Sequence, residues 1–153
     1  MRTKLLFTIA LCCGLAFYGC EEEEDPTDNG VPANTLIAGG TSIPMASVVC
    51  GEIGSGNDLT LTASDVSQNN LLEIRFHIER PTATTTIALS PSGSSSEAWG
   101  TYTVNGNLEY EIQSGTATIT PGSNNSLTIT FNNAVAETNN DVSISLSFNG
   151  TCN

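Results

Sequence analysis

Basic side chains are almost absent from this chain of 153 residues, which contains four Lys and Arg residues against sixteen Asp and Glu residues. After residue 4 there is no lysine, and the only arginines are Arg75 and Arg80. Proteins that bind nucleic acids or anionic lipid surfaces neutralise phosphates with clusters of Lys and Arg. The shortage of cations therefore excludes nucleic acid as a partner, and it also excludes membrane binding through a basic surface.

The residues that most often carry catalysis or bind metals are also scarce. His77 is the only histidine, and the alternation of its segment places it on a polar face, where a surface position is the simplest interpretation. The chain has no GxSxG motif, no CxxC motif and no Cys–His spacing typical of zinc sites. The carboxylate pairs Glu73/Glu79 and Glu109/Glu111 project from the polar sides of strands, which favours a role in solubility over a glycosidase dyad. We therefore expect no enzymatic activity, no cofactor and no metal site.

The longest hydrophobic run lies at the N-terminus. Residues 1–19 (MRTKLLFTIALCCGLAFYG) join a cationic start to an apolar stretch of roughly 14 residues, which is too short for a transmembrane helix and typical of a signal peptide. The stretch ends at Gly19-Cys20. This arrangement resembles a bacterial lipoprotein leader, in which a small residue precedes the cysteine at which the leader is cleaved. The resemblance implies that Cys20 is lipidated and becomes the mature N-terminus.

Five consecutive acidic residues, Glu21 to Asp25, follow the cysteine directly. Such a charge run behaves as a solvated, self-repelling tether. It also resembles the acidic export tag of Bacteroidota-type surface lipoproteins. The resemblance implies a protein that contacts the outer membrane only through its N-terminal lipid and is displayed on the cell surface, with the periplasmic face as the alternative. We expect a signal peptide (1–19), a lipidated cysteine with an acidic flexible tether (20–34) and one domain (35–153).

From residue 35 onward, apolar and polar residues alternate with the period of two that predicts β-strands. Short runs of Gly, Pro, Asn, Asp and Ser separate these segments, and no segment of useful length has a helical period. The sequence predicts an all-β, antiparallel β-sandwich of nine or ten short strands, with a lipocalin-like barrel as the alternative. The side chains predicted to face the core are Leu59, Leu61, Ala63, Leu72, Ile74, Phe76, Ile78, Leu127, Ile129, Phe131, Val142, Ile144, Leu146 and Phe148.

Two cysteines remain in the predicted domain, Cys50 and Cys152. An even number of cysteines in an exported domain is more typical of a disulfide than of free thiols. We therefore predict a Cys50–Cys152 disulfide, with the two Cα atoms within about 7 Å of each other. It would join the second strand, around residues 47–53, to the end of the last strand.

Turn residues set the register around the aromatic segment WGTYTVNGNLEY. A three-residue loop at 105–107 pairs Tyr102 with Tyr110 and Val104 with Leu108, which collects these apolar side chains on one face. A two-residue loop would set apolar residues opposite polar ones. A further turn is predicted from Ser and Gly at 114–115.

This register points Trp99 toward the polar face of its strand. Tryptophan more often packs in a core or against a sheet edge, but an exposed indole can also stack on a sugar ring. We expect Trp99 to be at least partly exposed. Trp99, Thr101 and Glu109 are the candidate ligand contacts, because the register places them on the same polar face.

Together these features predict a non-enzymatic, lipid-anchored module of a bacterial cell envelope with a binding, adhesion or structural and accessory role. A glycan or a protein is its expected partner. The alternative is a carrier of small apolar ligands with a lipocalin-like barrel, which would need a wide apolar interior.

Overall fold

The computed structural model describes residues 30–153, which form ten β-strands and one short 3-10 turn. Within this range no helix has the length and apolarity needed to cross a membrane. The predicted signal peptide, the lipidation site Cys20 and the acidic run lie outside the described residues. The strands are β1 (Thr35–Ala38), β2 (Thr41–Pro44), β3 (Ser47–Ile53), β4 (Asp58–Ser64), β5 (Asn70–Phe76), β6 (Thr85–Leu89), β7 (Glu97–Val104), β8 (Leu108–Pro121), β9 (Leu127–Glu137) and β10 (Ser143–Cys152), and the 3-10 turn is Ser123–Asn125.

All ten strands belong to one sheet, in the order β2-β1-β10-β9-β8-β6-β7-β5-β4-β3. The sheet is curled into a half-barrel, which is consistent with a β-sandwich or a barrel-like fold. The all-β prediction, with nine or ten strands, is therefore confirmed.

The sheet is mixed rather than wholly antiparallel, because β6 and β7 pair in parallel through two residues each. The cause is the length of β8. Its first residues pair with β7, and its residues from Gly115 onward pair with β6. Since β6 and β7 both run antiparallel to β8 along the same edge of that strand, they are parallel to each other where they meet.

One face of the curled sheet carries the apolar core, as the alternation predicts. The predicted inward residues of β4, β5 and β9 are all buried, and Ile78 and Ile144 pack against the same core with partial exposure. The prediction for Val142 is wrong, since its side chain is 53% exposed. Val142 precedes the first residue of β10, and the period of two does not extend into the turn before a strand.

The Cys50–Cys152 disulfide is confirmed, with the two Cα atoms 5.5 Å apart. Cys50 lies in β3, which is the third strand in sequence and an edge strand of the sheet, and Cys152 ends β10. Because β3 and β10 are far apart in the sheet order, only the curl of the sheet can bring them together. The bond therefore links two distant parts of one sheet across its core face.

The predicted loop at 105–107 is also confirmed, because Tyr102 pairs with Tyr110 and Val104 with Leu108. The two tyrosine rings stack with centroids 6.0 Å apart. The Tyr102 hydroxyl donates a hydrogen bond to Asn70 Oδ1 at 2.7 Å, and burial raises the pKa of this tyrosine. The inward assignment of Leu108 is wrong, since it is 47% exposed at the end of the hairpin, beyond the reach of the core.

The predicted turn at 114–115 is wrong, because β8 continues without interruption through these positions. The register between β8 and β9 shifts there instead, which marks a β-bulge. Ile112 and Ala117 both face the core although they are five positions apart, an odd offset that would place them on opposite faces of a regular strand. A two-residue turn and a bulge both reverse the alternation, so the pattern alone could not distinguish them. Gly115 adopts φ +144° in the bulge, and a Cβ atom there would lie 2.8 Å from the Ala134 Cβ.

Candidate functional site

An open cavity of about 400 Å³ lies on the solvent-facing side of β4, β5 and β7, next to the edge strand β3. We call it the outer-face groove. Its volume falls within the range of about 300–1,000 Å³ that is typical of small-molecule sites. The residues that line it are Ile53, Thr60, Leu61, Thr62, Glu73, Ile74, Arg75, Trp99 and Thr101, of which Leu61 and Ile74 have buried side chains.

Strand register brings the lining residues together from four strands, with Ile53 on β3 and the others on β4, β5 and β7. Arg75 of β5 lies between Thr60 of β4 and Trp99 of β7. In the next outward-facing row, two residues along each strand, Glu73 lies between Thr62 and Thr101. Neighbouring strands are about 4.8 Å apart, so each row spans roughly 10 Å across the sheet. The groove therefore has a flat floor of polar side chains with an indole at one end.

Trp99 is 39% exposed, which confirms the expectation of partial exposure. The backbone of Gly93, in the loop that precedes β7, lies against its pyrrole ring. A Cβ atom at position 93 would lie 2.5 Å from the indole Cδ1. Gly93 also adopts φ +52°, a left-handed conformation that favours glycine. The loop therefore fixes the position of the indole and leaves part of its surface open to the groove.

The polar groups of the groove have unused hydrogen-bonding capacity. Within residues 30–153, the hydroxyls of Thr60, Thr62 and Thr101 make no hydrogen bond to the protein, and the Glu73 carboxylate has no hydrogen bond or ion pair. Each threonine hydroxyl can donate one hydrogen bond and accept others, and the carboxylate accepts only. The floor therefore presents donors and acceptors that a ligand can use.

Asp58 lies beside the groove and holds Arg75 in position. Its Oδ2 atom accepts hydrogen bonds from Arg75 Nε at 2.9 Å and Arg75 Nη2 at 2.6 Å, and it lies 3.1 Å from His77 Nδ1. The hydrogen bonds from Arg75 lower the pKa of Asp58, with a smaller contribution in the same direction from His77 and an opposing one from desolvation. The guanidinium thus lies in a fixed position with its charge balanced by Asp58.

Because the pKa of Asp58 is depressed in the folded state, its contribution to stability is complete above its usual value of about 3.8. The contribution is lost as the pH falls through the lower, folded-state value. We expect Asp58→Asn to lower the midpoint of urea unfolding at pH 7, and the difference from wild type to shrink toward zero near pH 2.

Asp141→Asn is the matched control, since Asp141 is exposed and forms no ion pair in the described part of the chain. It should leave the unfolding midpoint unchanged at both pH values. If Asp58→Asn shifted the midpoint equally at pH 7 and near pH 2, the loss would come from packing rather than from the ion pair.

The fold brings together only two of the three ligand contacts that the sequence suggests. Trp99 and Thr101 line the same groove, whereas Glu109 pairs with Thr103 in an adjacent row and is not part of the lining. Ile53 and the outward residues of β4 and β5 complete the groove and were not singled out from the sequence. Their outward orientation was readable from the alternation, but the pairing of β5 with β7 had no local signal.

The described residues contain no group of three or more His, Cys, Asp or Glu side chains that could hold a metal ion. The carboxylates considered for a glycosidase dyad, Glu73, Glu79, Glu109 and Glu111, are exposed. The groove therefore offers hydrogen-bonding groups and an indole surface to a ligand. Comparison of the chain with family models, curated proteins and solved structures finds no match.

Proposed function

We propose that this protein is a non-enzymatic, lipid-anchored module of a bacterial outer membrane that binds a ligand on its outer face. The observation that carries the binding role is the outer-face groove, in which Trp99 lies beside polar groups that have no partner within residues 30–153. The groove is open to solvent in the described part of the chain, so a large or polymeric ligand can reach it from the side.

Anchoring is supported by the resemblance of Gly19-Cys20 to a lipoprotein cleavage site. Several acyl chains on one cysteine, at about 0.8 kcal/mol per buried CH₂ group, hold a protein on a membrane without help from the polypeptide. The acidic run Glu21 to Asp25 supports display on the cell surface.

A carrier of small apolar ligands is the rival role, and the core favours it less. The concave face of the half-barrel is filled by large side chains such as Phe76, Ile112 and Phe148, all of them fully buried. Phe148 stacks on Phe131 and also covers Gly150. Saturable uptake of a fluorescent apolar probe by the protein would favour the carrier.

Cys20→Ser should abolish lipidation and release the protein from the membrane fraction. Wild-type protein, expressed in its bacterial host, should partition into the detergent phase and be degraded when intact cells are treated with protease. The variant should remain unprocessed or appear in the aqueous phase, as measured by phase separation and by mass spectrometry of the N-terminus.

Cys12→Ser is the matched control, because it removes a cysteine from the apolar stretch without changing Gly19-Cys20. It should behave as wild type. Recovery of the Cys20 variant in the detergent phase with the normal mature mass would contradict the proposal. Protection of the wild-type protein in intact cells would place it on the periplasmic face.

A further inference from the structure

We propose that the outer-face groove binds a neutral glycan, with a pyranose ring stacked on Trp99 and its hydroxyls bonded to the floor of the groove. This inference rests on the proposed binding role and specifies its ligand class. It draws on the position of the indole, on the types of polar group beside it and on the charge of the surrounding surface.

The indole supplies the apolar surface that a sugar requires. A pyranose has an apolar face formed by its C–H groups, and aromatic rings bind such faces through burial of apolar area. Trp99 is held in place by the backbone at Gly93, so stacking does not require the side chain to be ordered first. A preorganised side chain loses less conformational entropy on binding. The exposed part of the indole can therefore stack on the apolar face of a pyranose ring.

The floor supplies groups that match sugar hydroxyls. Thr60 and Thr62 of β4 and Thr101 of β7 offer hydroxyls with no partner in the described residues, and Glu73 offers an acceptor-only carboxylate. Arg75 uses Nε and Nη2 for Asp58, which leaves Nη1 without a partner in the described chain. A polyol both donates and accepts, so one ring lying along the floor can satisfy donors and acceptors together.

Charge selects neutral glycans over acidic ones. The guanidinium of Arg75 is balanced by Asp58, which lies just outside the lining, and Glu73 has no ion-pair partner within residues 30–153. With Asp58 counted, the groove and its border therefore carry a net negative charge. Residues 30–153 contain ten acidic and two basic side chains, which gives the domain a net charge of about −8. A uronate or a sulfated sugar would meet repulsion from Glu73 and from the surrounding surface.

A protein partner fits the groove less well than a glycan does. The cores of protein interfaces are depleted of charged residues and enriched in aromatic ones. Here two charged side chains and three threonines form the floor, and Ile53 and Trp99 are the only exposed large apolar side chains among the lining residues. The lining therefore resembles a hydroxyl-recognising surface more than a hydrophobic docking site.

The test uses the full chain, purified in a detergent that has no sugar headgroup, and measures the affinity for soluble polysaccharides. The neutral probes are a glucan, a mannan, a xylan and a galactan, and the acidic probe is polygalacturonate. We expect at least one neutral probe to bind, to change the emission of the only tryptophan and to bind equally well in low and high salt. Polygalacturonate should bind at least about tenfold more weakly, because like charges repel.

Substitutions then assign the binding to the groove. Trp99→Ala should weaken binding by about tenfold or more, as expected for an anchoring aromatic residue, and Trp99→Phe should restore part of the affinity. Since Trp99→Ala also removes a contact with the loop at Gly93, a variant that keeps the packing is needed. Glu73→Gln is nearly isosteric at an exposed position, and it should weaken binding of the neutral probe without changing the unfolding midpoint.

Glu109→Gln is the matched control, because it makes the same change on an exposed strand position outside the groove. It should bind as wild type. The inference is overturned if no neutral probe binds, if Trp99→Ala and Glu73→Gln both bind as wild type, or if polygalacturonate is preferred. If an unstructured peptide changed the emission of Trp99 and added sugars did not reverse the change, the ligand of the groove would be a protein instead. Each of these results is independent of whether Cys20 carries a lipid, so this inference can fail while the anchoring stands.

Discussion

Replacing both Cys50 and Cys152 by alanine should lower the free energy of unfolding by about 3–5 kcal/mol. The bond closes a loop with a sequence separation of 102 residues. In the chain-entropy description, closing a loop of about 100 residues lowers the entropy of the unfolded chain and so raises its free energy by up to about 4.7 kcal/mol. Urea unfolding monitored by Trp99 fluorescence measures the difference, and the slope of the transition should increase because the unfolded chain becomes less compact.

Reduction of the wild-type protein is the matched control for this pair of substitutions. A reductant should move the unfolding midpoint of the wild type to that of the double variant, and it should leave the double variant unchanged. The prediction fails if the double variant unfolds at the same urea concentration as the oxidised wild type. In that case the unfolded chain would already be as compact without the bond as with it.

Most of the inward-facing residues could be predicted from the sequence, because burial of one sheet face imposes a period of two. That pattern identified the core side chains of β4, β5 and β9. It also identified the 105–107 loop, since a one-residue slip would have moved Tyr102 and Tyr110 out of the core. The error at Leu108 lies at a strand end, where the side chain keeps the alternation but has no core to enter. Val142 lies in the turn before β10, where the alternation no longer holds.

The strand order could not be predicted, because it depends on contacts between distant segments. The bulge at Gly115 reverses the alternation as a turn would, so one long strand was interpreted as two. The length of β8 then allows β7 and β6 to follow one another along its edge, and β5 pairs with the other edge of β7. No local pattern contains this information.

The candidate site was accordingly predicted in part. The exposure of Trp99 follows from the register of its own hairpin, which is a local property. The partnership of Asp58 with Arg75 and His77 follows from the β4–β5 hairpin, and extending the inward pairing of Leu59 with Phe76 by one residue would have indicated it. The position of Thr60 and Glu73 beside Trp99 follows only from the pairing of β5 with β7.

Gly100→Ala should lower the free energy of unfolding by about 1–3 kcal/mol and alter the emission of the neighbouring Trp99. Gly100 lies in β7 opposite Ile74 of β5. A Cβ atom at this position would collide with the carbonyl oxygen of Glu73 and lie 3.0 Å from the Ile74 Cα. Because these are backbone atoms in the middle of the sheet, they cannot move aside as the end of a flexible side chain can. We expect β5 and β7 to separate locally.

Gly56→Ala is the matched control, because a Cβ atom there would meet its nearest neighbour, Asp58 Oδ1, at an ordinary distance of 3.5 Å. That change should be neutral or slightly stabilising, since alanine restricts the unfolded chain more than glycine does. Urea unfolding and tryptophan emission compare the two variants. The floor of the outer-face groove depends on the β5–β7 pairing, so Gly100→Ala should also weaken binding of the neutral glycan. A Gly100→Ala protein with wild-type stability and wild-type emission would show that β5 and β7 are not packed as closely as the structure places them.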